Sequence, residues 1–420
     1  MKIAFVYMNT EKNIGRGAGY IAGAVLEAGH ALTFFDIKYT PVDKIIENIV
    51  KSDFDILMIS TMTLLFPMAA KLVEQVKKRK KISVLLGGLH PTIIGPRLLK
   101  KYPKIDYLCI GEGESMVKDF LHHFGKSSLT GVKNLAFRVG KKVHCNPLRP
   151  PENLASSPLF PWHLFHKNSV VLSNGLLYTN ATRGCPFSCS YCCNGIYLEK
   201  YGKEYIRTRP IAHVIAELKF LKENYNPRLF YFGDEMIFCD KRYALDLFTA
   251  MKEEKIGIPY GFMVRAEYMT PNTVKVLGKT NCKYVAMGIE CGDEEFRRKY
   301  LKRNTSNEVI ERSFQLCREA GIYTSSFNMI GYPFKEDKKL TESTIRINQK
   351  IKPDWVQVTI FHPFPGTELY NHCVKEELLD KERIGTTRYY KESVLKGYSL
   401  AGERVRIHKL LNGKRGFQPV

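Results

Sequence analysis

The 420-residue chain has no apolar run long enough to cross a bilayer. No uncharged stretch exceeds 15 residues, and Ile56–Ala70, one of that length, contains Ser60, Thr61, Thr63 and Pro67, short of the roughly 20 that a membrane helix needs. No transmembrane segment is predicted. The opening MKIAFVYMNTEKN has too small an apolar core for a secretory leader, so the expected compartment is the cytoplasm. Acidic residues are in deficit, 42 against 64 Lys and Arg, for a net charge of +22. The excess is spread along the chain, and Lys77-Lys78-Arg79-Lys80-Lys81 reads as a solvated helix end and turn. Specific nucleic-acid binding would need the charge focused on one face and is not predicted. An anionic small molecule or surface remains compatible. Repeats and low-complexity segments are also missing, and 44% hydrophobic with 25% charged residues is a globular composition.

What is present is an alternation of short apolar runs and amphipathic segments. Strands are expected at 2–7, 31–36, 54–60, 81–88 and 105–114, with helices ending near Ala28 and covering 42–51 and 67–79. Near-continuous apolar strands separated by helices predict an α/β, doubly wound (Rossmann-like) parallel sheet. Ligands bind at the carboxyl ends of such strands, where Gly15/Gly17/Gly19, Gly87-Gly88 and Gly111/Gly113 fall. These glycines read either as tight turns or as a ligand crevice. GRGAGY is out of register with GxGxxG, so a dinucleotide fingerprint is not supported. A hairpin around Val139-Gly140-Lys141 and five prolines between 147 and 161 mark 126–168 as hairpin plus linker. From 169 the alternation resumes. Strands are expected at 170–173, 229–233, 259–264, 284–289, 323–330 and 355–361, with helices at 210–224, 241–255, 271–278, 306–320 and 338–351. That is a partial (β/α)6 barrel over 169–375, with its site at the strand C-termini, followed by a short basic tail, 376–420.

The 11 cysteines are odd in number, and four lie between Cys185 and Cys193. Without a leader, such a cluster points to metal or chemistry rather than disulfides. In Arg183-Gly184-Cys185-Pro-Phe-Ser-Cys189-Ser-Tyr-Cys192, three thiols with x3 and x2 spacings sit on a loop after the first strand of the barrel series. Thiolates ligate iron–sulfur clusters, and three of them leave one iron of a cubane free. Structural zinc and buried free thiols are the competing readings. Zinc favours two separated ligand pairs, and no second CxxC occurs. Cys193 reads as a packing residue.

The CxxxCxxC triplet, with an aromatic residue before its last cysteine, resembles the radical S-adenosylmethionine (SAM) superfamily, whose triplet holds a [4Fe-4S] cluster. Further segments carry the resemblance. Phe232-Gly233-Asp234-Glu235 is similar to the strand-2 motif that holds the methionine amino group, with Asp at its middle position. Glu290 in GIECGDEEF stands where an acidic residue binds the ribose. Arg303 in LKRNTS stands where a base pairs with the SAM carboxylate, and Ile330-Gly331 in FNMIGYP stand at the adenine segment. The resemblance thus implies the cluster on Cys185, Cys189 and Cys192, and SAM on Tyr191, Gly233, Asp234, Glu235, Glu290, Arg303, Ile330 and Gly331.

Residues 1–125 are similar to a cobalamin (B12)-binding domain through Ser60-Thr61, Gly87-Gly88-Leu89-His90-Pro91-Thr92 and Gly111-Glu112-Gly113-Glu114. Together the two parts resemble the cobalamin-dependent, class B radical SAM enzymes. Where methylating cobalamin domains read DxHxxG, this chain reads Thr10-Glu11-Lys12-Asn13-Ile14-Gly15. A lysine ammonium has no lone pair for cobalt, so cobalamin is expected without a histidine lower ligand. The implied cobalamin contacts are Thr10, Lys12, Ile14, Gly15, Ser60, Thr61, Gly87, Gly88, His90, Gly111, Glu112 and Gly113, with His90 near the cofactor but off the cobalt. The resemblance implies methyl transfer to an unactivated carbon or phosphorus centre. The agents would be a 5′-deoxyadenosyl radical and methylcobalamin, with an external one-electron reductant of flavodoxin or ferredoxin type. Oxidative cyclisation is the alternative within the branch, and a non-enzymatic regulator the alternative outside it. The substrate expected is a small molecule, lipid or natural product, with the charge excess tilting mildly towards an anion.

Overall fold

The computed structural model describes residues 1–11, 14–126, 128–380, 382–383, 392–398 and 400–412. Contacts divide it into two units, Met1–Leu172 and Ser173–Val420.

The first unit runs β1 (Lys2–Tyr7), α1 (Arg16–Glu27), β2 (Ala31–Asp36), α2 (Val42–Lys51), β3 (Ile56–Ser60), α3 (Phe66–Arg79), β4 (Ser83–Gly87), α4 (Leu89–Ile94), α5 (Arg97–Lys101), β5 (Tyr107–Cys109) and α6 (Glu114–His123). A hairpin, β6 (Leu135–Val139) and β7 (Lys142–Cys145), and a helical turn, α7 (Lys167–Val170), complete it. The strands lie in the order β2-β1-β3-β4-β5-β6-β7. The first five are parallel and β6 and β7 are antiparallel. The doubly wound sheet is therefore as expected, and the 135–145 hairpin is built into it as its edge. Strand order reverses at β1, and the loops after β1 and β3 flank that switch point, where ligands bind in open α/β sheets. One layer of core packs Ile45, Ile49, Leu72, Val73 and Val76 on Val6, Leu57 and Val84. The other packs Ala22, Val25, Met116 and Phe120 on Phe5, Met58 and Leu85.

The second unit runs β8 (Leu176–Thr179), β9 (Thr182–Arg183), α8 (Asn194–Tyr201), β10 (Arg207–Thr208), α9 (Ile211–Tyr225), β11 (Leu229–Phe232), α10 (Lys241–Glu253), β12 (Tyr260–Val264), α11 (Pro271–Lys279), β13 (Cys282–Glu290), α12 (Glu294–Tyr300), α13 (Asn307–Glu319), β14 (Tyr323–Ile330), α14 (Asp337–Ile351), β15 (Trp355–Ile360), α15 (Glu368–Lys375) and α16 (Ala401–Asn412). Six strands, β8-β11-β12-β13-β14-β15, form one parallel sheet in sequence order, an open (β/α)6 barrel. Asp240, Thr270, Asp293, Ser306 and Thr367 cap α10, α11, α12, α13 and α15 through their side chains, each worth about 1 kcal/mol. The helix α16 lays Ile407 against Ile330, Val358 and Ile360. Asn412 bonds both the N–H and the C=O of Val356 on the edge strand, at 2.7 and 2.8 Å.

One strand expectation fails. Residues 170–173 are not the first barrel strand: Lys167–Val170 is a helical turn, and the strand is Leu176–Thr179. Both runs are apolar, but Ser173-Asn174-Gly175 separates them. Gly175 takes φ +83°, and the Asn174 side chain accepts from the Leu176 N–H, so the chain can extend only after this turn. Gly17 and Gly19 also lie inside α1 rather than in a loop.

Candidate active site

The cysteine loop leaves the barrel at the end of β8 and is fixed from three sides. Asp234, just past β11 and 1% exposed, accepts on Oδ1 from the Ala181 N–H (2.9 Å), the Thr182 N–H (2.5 Å) and the Thr182 hydroxyl (2.7 Å). Burial pushes its carboxyl up to about 6 against the pull of those donors. The two-stranded ribbon β9–β10 pins the next residues. Gly184 follows at φ +98°, where a Cβ would lie 2.3 Å from the Tyr205 carbonyl, so glycine is required. Ser190, between the second and third cysteines of the triplet, donates to the Tyr300 carbonyl at 2.5 Å, and its own carbonyl accepts from the Leu369 N–H at 3.0 Å.

Cys185, Cys189 and Cys192 are brought close enough to perturb one another. Burial raises the Cys185 thiol to about 12, and Cys192 and Cys189 add to the rise. Burial also raises Cys189, opposed by Arg303 and then Arg265. Arg265 lies 3.9 Å from the Cys189 sulfur and 3.8 Å over the Phe187 ring. Among the described residues no three His, Cys, Asp or Glu side chains converge as a single-ion site requires. Three thiols on a rigid loop beside two guanidinium groups fit a cubane that carries negative charge. The N-cap of α8 is Cys193, its thiol paired with that of Cys192.

The implied SAM residues divide. Glu290 ends β13 at a register shift with φ +67°, a conformation costing a non-glycine residue about 1 kcal/mol or more and typical of functional sites. Its carboxylate folds back over Gly288, where a Cβ would sit 2.5 Å from Oε1. It lies 3.6 Å from Arg303, which also holds the Gly288 carbonyl (2.5 Å) and the Tyr191 hydroxyl (3.3 Å). Burial raises the Glu290 carboxyl, with Arg303 and Tyr191 opposing. Tyr191, Glu290 and Arg303 therefore meet beside the cysteine loop. Glu235 is exposed and accepts from the Gly184 N–H at 3.4 Å, so it too belongs there, next to Gly233. The side chain of Asp234 is turned away, into the Ala181-Thr182 backbone. The Ile330 side chain faces outward against Leu400 and Ile407. The Gly331 N–H is held by Asp337 (2.9 Å), and Leu400 fills the space beside its Cα.

The reading of the sequence missed Arg265, Glu267, Arg297 and Thr305. Arg265 bonds Glu267 (2.5 Å), and Thr305 donates to the other oxygen of Glu267 (2.6 Å). Arg297, 1% exposed, holds the carbonyls of Cys291 (2.6 Å) and Thr305 (3.0 Å) and the Asn307 side chain (2.6 Å), and so fixes the loop that presents Arg303. Arg265 directly follows a barrel strand, which was a usable signal. Within EEFRRKY, nothing separates Arg297 from a surface charge.

In the first unit, the loops after β3, β4 and β5 form one rim. The Thr61 N–H bonds the Gly87 carbonyl (3.0 Å). A Cβ on Gly88 would lie 2.5 Å from the Thr61 carbonyl, at φ +99°. Thr92 links the Gly88 carbonyl (2.9 Å) to the Gly111 N–H (3.0 Å). Ser60, Thr61, Gly87, Gly88 and Gly111 are thus brought together. His90 stacks on Phe66 at 4.1 Å and contacts the Thr63 hydroxyl (3.3 Å), and burial lowers its imidazole to about 4. Thr10 is exposed and Ile14 buried, while Lys12 lies outside the described residues. Three further glycines are closely packed by side chains. Tyr7 fills the Cβ position of Gly15, Ile21 and Cys109 that of Gly113, and Phe160 that of Gly19. The Glu112 carboxylate accepts from the Glu152 N–H (2.7 Å), tying down the proline-rich segment.

Residues 179–344 match the radical SAM superfamily and residues 12–121 the B12-binding domain family. The chain is a radical SAM enzyme with an N-terminal B12-binding domain. It is 27% identical over 401 residues to an uncharacterized methyltransferase of Pyrococcus horikoshii, covering 90% of this chain and 84% of the relative. It is 22% identical over 410 residues to the anaerobic magnesium-protoporphyrin IX monomethyl ester cyclase of Rubrivivax gelatinosus, covering 91% and 71%. Its fold is similar to the radical SAM methyltransferase TsrM of Kitasatospora setae, solved with cobalamin and a [4Fe-4S] cluster, with a TM-score of 0.74 at 13% identity over 90% of this chain and 78% of the other. Among the described residues no helix is long and apolar enough to cross a membrane.

Proposed function

We propose that the protein is a cobalamin-dependent radical SAM methyltransferase acting on an unactivated carbon or phosphorus centre of a small molecule. The observation that carries this reading is the convergence of Cys185, Cys189 and Cys192 with Glu235, Glu290 and Arg303 at the strand ends of one barrel. The three thiols would hold the cluster. The Glu235 carboxylate suits an ammonium group, Glu290 a ribose diol, and the Arg303 guanidinium a carboxylate. When bound, the cluster and SAM supply an electron and a 5′-deoxyadenosyl radical, and cobalamin supplies the methyl group. Arg303 and Arg265 counter the negative charge at Cys189. Arg297, Asp234 and Gly184 hold the loops so that reacting groups meet without reorganisation. The rim of Ser60, Thr61, Gly87, Gly88 and Gly111 offers backbone for the corrin side chains. Beside it, Met62 and Met68 are 42% and 41% exposed, an apolar surface suited to a macrocycle. Among the described residues of that rim the one imidazole is His90, buried and stacked, which fits cobalamin without a histidine lower ligand.

The test is anaerobic turnover with methyl-labelled SAM and a small-molecule extract. Label in a product, with S-adenosylhomocysteine and 5′-deoxyadenosine formed together, supports methyl transfer. The similarity to an ester cyclase over most of the chain favours one second reading, oxidative cyclisation. That reading predicts 5′-deoxyadenosine without S-adenosylhomocysteine.

A further inference from the structure

Resting on the assignment of the cluster to Cys185, Cys189 and Cys192, we propose that the basic C-terminal end of α12 is the docking surface for a small acidic one-electron carrier protein. Ser190, itself buried, is the point of the cysteine loop that contacts the end of α12. Its hydroxyl bonds the Tyr300 carbonyl at 2.5 Å and its N–H the Leu301 carbonyl at 3.4 Å. Two hydrogen bonds therefore link the loop between Cys189 and Cys192 to the end of α12, and the surface begins there at Tyr300. Arg298, Lys299 and Lys302 are exposed there, and Tyr300 among them is 37% exposed.

The run from Arg297 to Thr305, RRKYLKRNT, contains five cations and no acid. Two of the five, Arg297 and Arg303, are buried in the roles described above. The other three face outward, and one acidic side chain, Glu368, pairs with Lys302. Tyr300 packs on Phe334 (4.6 Å), which stacks on His372 (5.0 Å), so the aromatic centre of the patch is rigid. Cations at a helix C-terminus favour the helix dipole, and that explains one or two of them. It does not explain why the excess continues past the helix to Lys302, nor why it lies over a segment that bonds the cysteine loop between Cys189 and Cys192. Electron-carrier encounters are small and short-lived, and complementary charge raises their rate. A chain of net charge +22 attracts an acidic partner from every side, and this patch is where its arrival is productive.

The experiment measures binding of an acidic flavodoxin to the full chain without its cluster, at low and at physiological salt, and reduction of the reconstituted cluster by flavodoxin hydroquinone or by dithionite. The variants are Arg298→Gln/Lys299→Gln, Arg298→Glu/Lys299→Glu and, as a remote control of equal charge, Lys252→Glu/Lys279→Glu, exposed at the ends of α10 and α11 by the amino-terminal edge of the barrel sheet. The Glu pair is expected to weaken flavodoxin binding about tenfold or more at low salt, with the Gln pair intermediate and the remote pair close to wild type. Reduction by flavodoxin falls in parallel, while reduction by dithionite is unchanged. The proposal is overturned if wild type does not bind flavodoxin, if the Glu pair binds like wild type, if the remote pair loses as much, or if dithionite reduction slows equally. Wild type that shows no paramagnetic cluster under dithionite sinks the cluster assignment instead, and the binding arm separates the two failures.

Discussion

Replacing Asp234 by Asn and by Ala should give opposite results. In the wild type a carboxylate 1% exposed accepts three hydrogen bonds on Oδ1, while Oδ2 is buried with no partner among the described residues. Burial raises the carboxyl from 3.8 to about 6. Two pKa units are roughly 3 kcal/mol of cost to the ionised form at neutral pH. Asn keeps the accepting oxygen and removes the buried charge, but it exchanges charge-assisted bonds for neutral ones, a loss of about 1–2 kcal/mol. The balance is about 1–2 kcal/mol in favour of Asn, so Asp234→Asn should unfold a few degrees above wild type at pH 7.5. Ala leaves two buried N–H groups and a hydroxyl without an acceptor, at about 1–3 kcal/mol each before relaxation. A net loss of about 3 kcal/mol lowers the melting temperature by roughly 6–12 °C in a unit of this size. The Ala variant should also lose reductive SAM cleavage, because the released backbone leads directly into Gly184 and Cys185, while Asn retains it. Calorimetry and 5′-deoxyadenosine release under dithionite measure both. Equal destabilisation by Asn and Ala, or an Ala variant as stable as wild type, would refute the reasoning.

Other outcomes follow from the same contacts. Cys185→Ala, Cys189→Ala or Cys192→Ala should each abolish reductive SAM cleavage while Cys193→Ala largely spares it, measured by 5′-deoxyadenosine release. Glu290→Gln should raise the KM for SAM about tenfold or more by weakening a charge-assisted bond; steady-state kinetics at varied SAM check this, and an unchanged KM removes Glu290 from the site. Gly88→Ala, which sets a Cβ against the Thr61 carbonyl at φ +99°, should destabilise the first unit by about 2 kcal/mol or more and impair cobalamin retention, read by the corrin absorbance after gel filtration. His90 is held neutral, with its pKa lowered by burial to about 4 against 6.5 unfolded. The unfolded chain therefore takes up the proton first, and stability present above pH 6.5 is lost as pH falls towards 4. That loss is about 2 kcal/mol between pH 7 and 5, and His90→Gln should flatten the acid limb of the melting curve.

The sequence carried most of the architecture because each barrel strand is a short apolar run bounded by glycine or a helix cap. It misled at 170–173, where VVL and LLYT are equally apolar and only the Asn174-Gly175 turn decides between them. The cysteine triplet was legible because its spacing is local. So were Glu290 and Arg303, through their segments. Asp234 was legible as part of the strand-2 motif but its role was not, and Arg297 was not legible at all, because a carboxylate bonding backbone 52 residues away and a guanidinium holding three loop oxygens leave no local pattern. The packing part of Gly15, Gly19 and Gly113, which make room for Tyr7, Phe160 and Ile21, was not legible, because those partners are distant in the sequence or give no glycine signal of their own.

The most direct test is the electron paramagnetic resonance spectrum of the anaerobically reconstituted, dithionite-reduced protein, recorded with and without SAM. A reduced cubane signal is expected whose g-values shift when SAM is added, and which is lost in Cys185→Ala, Cys189→Ala and Cys192→Ala but not in Cys193→Ala. A silent spectrum, a signal indifferent to SAM, or one that survives loss of the three cysteines would contradict the cluster assignment.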